Sequence, residues 1–144
     1  MGEVVYAPQF GGRSSRTESA GTVARVLVVD NDPATLAAMS QALQNEGHST
    51  ATAFDAPGAV AVAERLGPFD LLITDAGEID GDELASTLRR HDRSLQVLYV
   101  TPKGASQAPA LLNDDEVLER PFSESELVDA VSSLLYWRRR RSTR

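Results

Sequence analysis

Cysteine is absent from this 144-residue chain, which excludes disulfides, thiolate nucleophiles and zinc–thiolate centres. Imidazole chemistry is confined to His48 and His91. Lys103 is the only lysine, so every other cationic side chain is an arginine. Long apolar runs are also missing: Val26-Leu27-Val28-Val29 and Ala59 to Ala63 fall far short of the ~20 residues that cross a bilayer. No Gly-x-Gly-x-x-Gly follows an apolar run, which removes the main signature of dinucleotide binding. Residues 1–6 lack the basic-then-apolar order of a secretory leader, and Tyr6 stands where a myristoylation signal carries Ser or Thr. These absences lead us to expect a soluble, cytoplasmic protein without a membrane span.

What is present is an ordinary globular composition, 42% hydrophobic and 24% charged, of a size for one folded domain. The formal charge of −7 is unevenly spread. Residues 1–24 sum to zero and the last seven, with Arg138 to Arg141 and Arg144, carry +5, so the stretch 25–137 holds −12. A body this acidic repels phosphates, and no specific nucleic-acid contact is expected of it. The terminal arginines continue a helical pattern past Tyr136 and Trp137, where cations complement the helix dipole.

Composition and periodicity divide the chain into a flexible N-terminal segment (1–24), a domain (25–137) and a basic C-terminal tail (138–144). Within the domain, apolar runs and helical patterns alternate. Val26 to Val29 reads as a strand buried on both faces and stops at Asp30-Asn31-Asp32-Pro33, which opens a helix carrying Leu36, Met39 and Leu43. A weaker strand, 49–54, precedes a helix with Val60, Ala63 and Leu66 that closes at Gly67-Pro68. Leu71 to Thr74 is a third strand ending at Asp75; Leu84 and Leu88 mark a third helix; Val97 to Val100 is a fourth strand ending at Thr101. The segment 105–112 predicts a short, irregular fourth helix interrupted by Pro109. A brief fifth strand, 116–119, runs into Arg120-Pro121-Phe122. Ser123 and Glu126 then form a capping box for a last helix bearing Leu127, Val131, Leu134 and Leu135.

Five strands alternating with five helices predict a doubly wound α/β fold with a parallel sheet, because right-handed crossovers return over the sheet. Ligands of such folds bind at the carboxyl ends of the strands. Those ends carry Asp30, Asn31, Asp32, Asp75, Thr101 and Arg120. Close carboxylates repel and call for a hard cation such as Mg2+, and a carboxylate beside it can act as nucleophile to form an acyl phosphate. Thr101 would donate to a phosphoryl oxygen and Arg120 would neutralise it. The competing explanation is local: Asp30, Asp32 and Asp55 all stand where carboxylates cap helices without any function.

In this order the motifs resemble the receiver domains of two-component response regulators, over about 25–137. Val28-Val29-Asp30-Asn31-Asp32-Pro33 is similar to that family's acidic segment, Asp70 to Asp75 to the strand ending in the phosphorylated aspartate, and Asp80-Gly81 to the close of the following loop. Val97 to Thr101 is similar to the strand with the switch hydroxyl, and Leu118-Glu119-Arg120-Pro121-Phe122 to the Leu-x-Lys-Pro-Phe segment with its cis proline. The resemblance implies strand order 2-1-3-4-5 in a flavodoxin-like fold, Asp75 as phosphoacceptor, Thr101 as switch and Arg120 in the place of the lysine. It also implies a weak Mg2+ site formed by Asp30, Asn31, Asp75 and the Gly77 carbonyl. The partners implied are a histidine kinase or phosphotransfer protein, and a downstream protein on the 105–137 face.

Five departures stand out. Asn31 replaces a carboxylate, and Arg120 is planar and wider than lysine. Pro102 offers no N–H, the loop 75–80 is short, and Val117 replaces the aromatic switch residue. They leave open an alternative, a pseudo-receiver that binds partners without phosphorylation. A phosphatase of the haloacid-dehalogenase type would read Asp30-Asn31-Asp32 as its nucleophile motif, with Thr101, Lys103 and Asp114-Asp115 as later motifs. That pattern fails at Ala34, where it needs Thr, and a domain of 113 residues leaves little for a cap.

Overall fold

The computed structural model describes residues 23–76, 79–103 and 115–142. Five strands, β1 (Arg25–Val29), β2 (Ser49–Ala53), β3 (Leu71–Asp75), β4 (Gln96–Thr101) and β5 (Glu116–Glu119), pair in parallel in the order β2-β1-β3-β4-β5. The three inner strands are those with unbroken apolar runs, and both their faces are buried. β2 and β5 lie at the edges, are only half-buried and read more weakly in the sequence.

Alternation along the strands divides the core in two. Val26, Val28, Leu71, Ile73, Leu98 and Val100 face α1 (Pro33–Asn45) and α4 (Glu124–Ser142), whereas Leu27, Val29, Leu72, Val97 and Tyr99 face α2 (Ala56–Leu66) and α3 (Gly81–Arg89). The first and last described helices therefore share one face. Local capping sets where they begin. Asp32 accepts from the Thr35 N–H, Asp55 from Gly58 and Asp80 from Glu83, while Ser123 and Glu126 bond each other's backbone N–H as the capping box predicts.

One detail differs from the sequence reading. Leu66 is half-exposed; α2 sits on the sheet through Ala59 and partly buried small residues, because the edge of the sheet beneath it presents Ala51 and Ala53. The last helix runs on to Ser142, through Arg138 to Arg141, as the helical pattern of the terminal arginines predicts. The expected fourth helix at 105–112 lies outside the described residues.

His48 closes the amino edge of the sheet. Its Nδ1 accepts the Ala24 N–H at 3.1 Å, and burial holds the imidazole below its ordinary value of 6.5. Protonation would put a hydrogen on the accepting nitrogen. The unfolded chain takes up that proton first, so the stabilisation is complete above pH 6.5 and declines as the pH falls below it. Urea midpoints should therefore drop more steeply from pH 6.5 towards 5 for the wild type than for His48→Gln; parallel curves would contradict this.

Candidate functional site

Register brings the strand ends together. Val29 pairs with Thr74, so Asp30 and Asp75, each one residue further on, stand side by side at the carboxyl edge of adjacent strands. Beyond them the ladder continues through Ala76 N–H to the Val100 carbonyl (2.9 Å) and Arg120 N–H to the Thr101 carbonyl (2.8 Å). Arg120 alternates with the core residue Leu118, which puts its side chain on the α1/α4 side, as for Asp30 and Asp75.

One guanidinium nitrogen joins the two acids. Arg120 Nη2 is 2.6 Å from Asp30 Oδ2 and 3.4 Å from Asp75 Oδ2. Asp30 is almost inaccessible, its side chain 2% exposed; Asp75 has 11% and Arg120 30%, so the guanidinium is the part of the trio that solvent reaches. The other oxygen of Asp30 accepts the Asp32 N–H at 2.9 Å. The acids at the end of β1 thus divide their work. Asp32 is the cap of α1, its carboxyl held below 3.8 by the Thr35 hydroxyl and N–H, and Asp30 turns inward to Arg120.

Thr101 is buried at the end of β4, and the bond that ties it to the trio is a backbone one. Asn31 is exposed beside Asp30. Gly77 lies outside the described residues. Behind Asp75, Gly81 starts α3 so close to β3 that a Cβ there would lie 2.9 Å from the Asp75 carbonyl oxygen and 3.0 Å from Thr74 Cγ2. Asp80-Gly81 thus has a steric reason, which the sequence pattern alone did not supply. Tyr99, under α3, is pushed up to about 12 by burial and by the charges of Asp82 and Asp115, so its hydroxyl stays protonated.

The profile of the response regulator receiver domain matches residues 26–132. This chain belongs to that family. The receiver is 35% identical to the transcriptional regulatory protein TcrA of Mycobacterium tuberculosis over 115 residues, 76% of this chain and 45% of the relative. It is 32% identical to RpaA of Synechocystis sp., a DNA-binding dual master transcriptional regulator, over 77% of this chain and 48% of that one. The chain spans about half the length of these curated relatives. The crystal structure of a response regulator receiver protein from Sinorhizobium medicae WSM419 shares the fold, with a TM-score of 0.69 at 24% identity, over 81% of this chain and 97% of that one. No helix among the described residues is long and apolar enough to cross a membrane.

Receiver domains generally bind Mg2+ at this acidic edge. The donor set described in this receiver fits such an ion poorly. Both oxygens of Asp30 already accept hydrogen bonds, Asp75 shares the same guanidinium, and Asn31 adds no charge. Mg2+ demands near-octahedral oxygen ligands at about 2.0–2.1 Å, and an ion on Asp30 Oδ2 would lie against the guanidinium nitrogen 2.6 Å away.

Proposed function

We propose that this receiver takes a phosphoryl group on Asp75 from a phosphohistidine of a histidine kinase or phosphotransfer protein, as a cytoplasmic module of two-component signalling. The observation that carries the reading is the Arg120 guanidinium, 3.4 Å from Asp75 Oδ2 and partly open to solvent. A carboxylate oxygen of Asp75 attacks phosphorus. The P–N bond breaks, its electron pair stays on the imidazole nitrogen, and an aspartyl phosphate forms. Arg120 offers its donors to the phosphoryl oxygens, and a planar guanidinium suits that geometry. Asp30 keeps Arg120 in place, and Thr101 is the switch residue whose hydroxyl would report the modification. Asp30, Asn31, Asp75 and the Gly77 carbonyl are the atoms a Mg2+ ion would have to use, and with one carboxylate fewer we expect affinity in the millimolar range or weaker, about that of low-charge sites.

Three proposals follow for the rest of the chain: 25–137 forms the receiver unit, 1–24 leads into it, and 138–144 is a basic extension. The downstream partner is a protein bound on the 105–137 face. Nucleic acid has no specific place on a stretch with a charge of −12.

A second reading, binding without phosphorylation, is favoured by Val117. Its side chain stands in β5 where the family's switch ring would be, and it is already 39% exposed. The test of the main reading is incubation with acetyl phosphate or a panel of phosphorylated kinases, followed by intact mass. The wild type should gain one phosphoryl group and Asp75→Asn none. No gain in the wild type, or an equal gain in the variant, would refute Asp75 as acceptor.

A further inference from the structure

We infer that Arg120 is the resident cation of this acid pair, in the role a divalent ion fills elsewhere, so that the site is complete and the fold stable without Mg2+. The inference rests on the ion-pair geometry and holds whether or not Asp75 takes a phosphoryl group.

Three observations converge. First, a single nitrogen, Nη2, lies within ion-pair distance of both carboxylates, at 2.6 Å and 3.4 Å, which is the bridging position between the two acids. Second, both Asp30 oxygens are already engaged: Oδ1 accepts the Asp32 N–H and Oδ2 accepts Arg120. The Asp32 amide is fixed in turn, because its residue caps α1. A metal ion on Oδ2 would lie against the Arg120 nitrogen 2.6 Å from that oxygen and be repelled by its charge. Third, Arg120 is held from its own backbone, since its N–H donates to the Thr101 carbonyl at 2.8 Å, so its side chain leaves the sheet at a fixed point beside the pair.

Charge points the same way. Asp30, Asp32 and Asp75 with Arg120 sum to −2, and Asn31 contributes nothing, so an entering Mg2+ would meet a guanidinium already inside the acid cluster. That guanidinium does not deprotonate in proteins and cannot make way by losing its charge. Arg120 and Mg2+ therefore compete for the same oxygens. A groove of about 320 Å³ between Thr35, Met39, Pro121 and Leu127 lies alongside Arg120 and gives the side chain space if it is displaced.

The experiment is a MgCl2 titration at constant ionic strength, read by melting temperature and by amide and guanidinium signals in a 1H–15N spectrum. The wild type should show no saturable change in melting temperature or in the Asp30, Asp75 and Arg120 signals at or below about one millimolar Mg2+. Arg120→Ala should melt lower without Mg2+ and rise with it, and Asn31→Asp in that background should strengthen the rise at least tenfold in midpoint concentration. Saturable wild-type shifts at one millimolar or below, or a folded Arg120→Ala that ignores Mg2+, would overturn the inference. Should Arg120→Ala not fold even with Mg2+, the wild-type titration decides alone. None of these readouts depends on phosphoryl transfer, so failure here and failure of the Asp75 reading are separately visible.

Discussion

Arg120→Ala should destabilise the domain by about 3 kcal/mol, which lowers the melting temperature by roughly 10 °C for a domain of this size. The variant removes the guanidinium that bridges the buried Asp30 and Asp75. Removing one partner of a buried pair costs more than the pair contributes, because the remaining charge stays desolvated. Partial exposure of Arg120 puts the expected loss at the lower end of that range. Arg120→Lys keeps the charge but puts a shorter, more strongly hydrated cation in its place, and should lose about 1 kcal/mol. Urea unfolding of Arg120→Ala, Asp30→Asn and the double variant gives the coupling energy directly. A coupling within error of zero would mean that the bridge contributes nothing.

A second large loss, about 3–4 kcal/mol, is expected at the opposite edge of the sheet for Asp115→Ala. The Asp115 side chain is wholly buried, and its Oδ1 accepts both the Val97 N–H at 3.0 Å and Arg89 Nη2 at 2.6 Å. Arg89 Nε also donates to the Leu95 carbonyl at 3.0 Å. This one carboxylate thus joins the end of α3, the start of β4 and the approach to β5. Truncation orphans a buried N–H and an arginine that is only 11% exposed. Asp115→Asn retains an acceptor for Val97 and should lose less than half as much. Chemical denaturation of the two variants checks both the size and the order of the effects.

Most of the fold was legible because it is encoded locally. Buried inner strands write continuous apolar runs, their ends are marked by polar residues, and Asp32, Asp55 and the Ser123–Glu126 box mark helix starts within four residues of sequence. The parallel sheet came from the handedness of crossovers, and the strand order from the receiver resemblance. Bonds between distant residues were not legible. Arg120 meets Asp30 across 90 positions and Arg89 meets Asp115 across 26, and both depend on the register of strands that periodicity does not fix. The sequence placed Arg120 against an incoming phosphoryl group; the structure shows it already paired with the acids. His48 went unassigned for a similar reason, since its partner is a backbone N–H on the neighbouring strand's approach. Leu66 was misjudged because helical spacing alone does not say which part of a face overhangs the sheet edge.

We propose that modification of Asp75 has only a weak readout at the partner face. In a switching receiver, two conformations must differ at the partner face, and an aromatic ring supplies the large side-chain move. Val117 is small, β-branched and stiff about χ1, so β5 offers no such ring at this position. The most direct measurement is the 1H–15N spectrum with and without beryllofluoride, an analogue of the aspartyl phosphate, alongside affinity for a captured partner and an Asp75→Asn control. The predicted result is a set of shifts confined to Asp30, Asp75, Thr101 and Arg120, with partner affinity changed less than tenfold, about 1.4 kcal/mol of coupling. No shifts at Asp75, or shifts that spread through β5 and Leu127 to Leu135 with a tenfold or greater change in affinity, would contradict it.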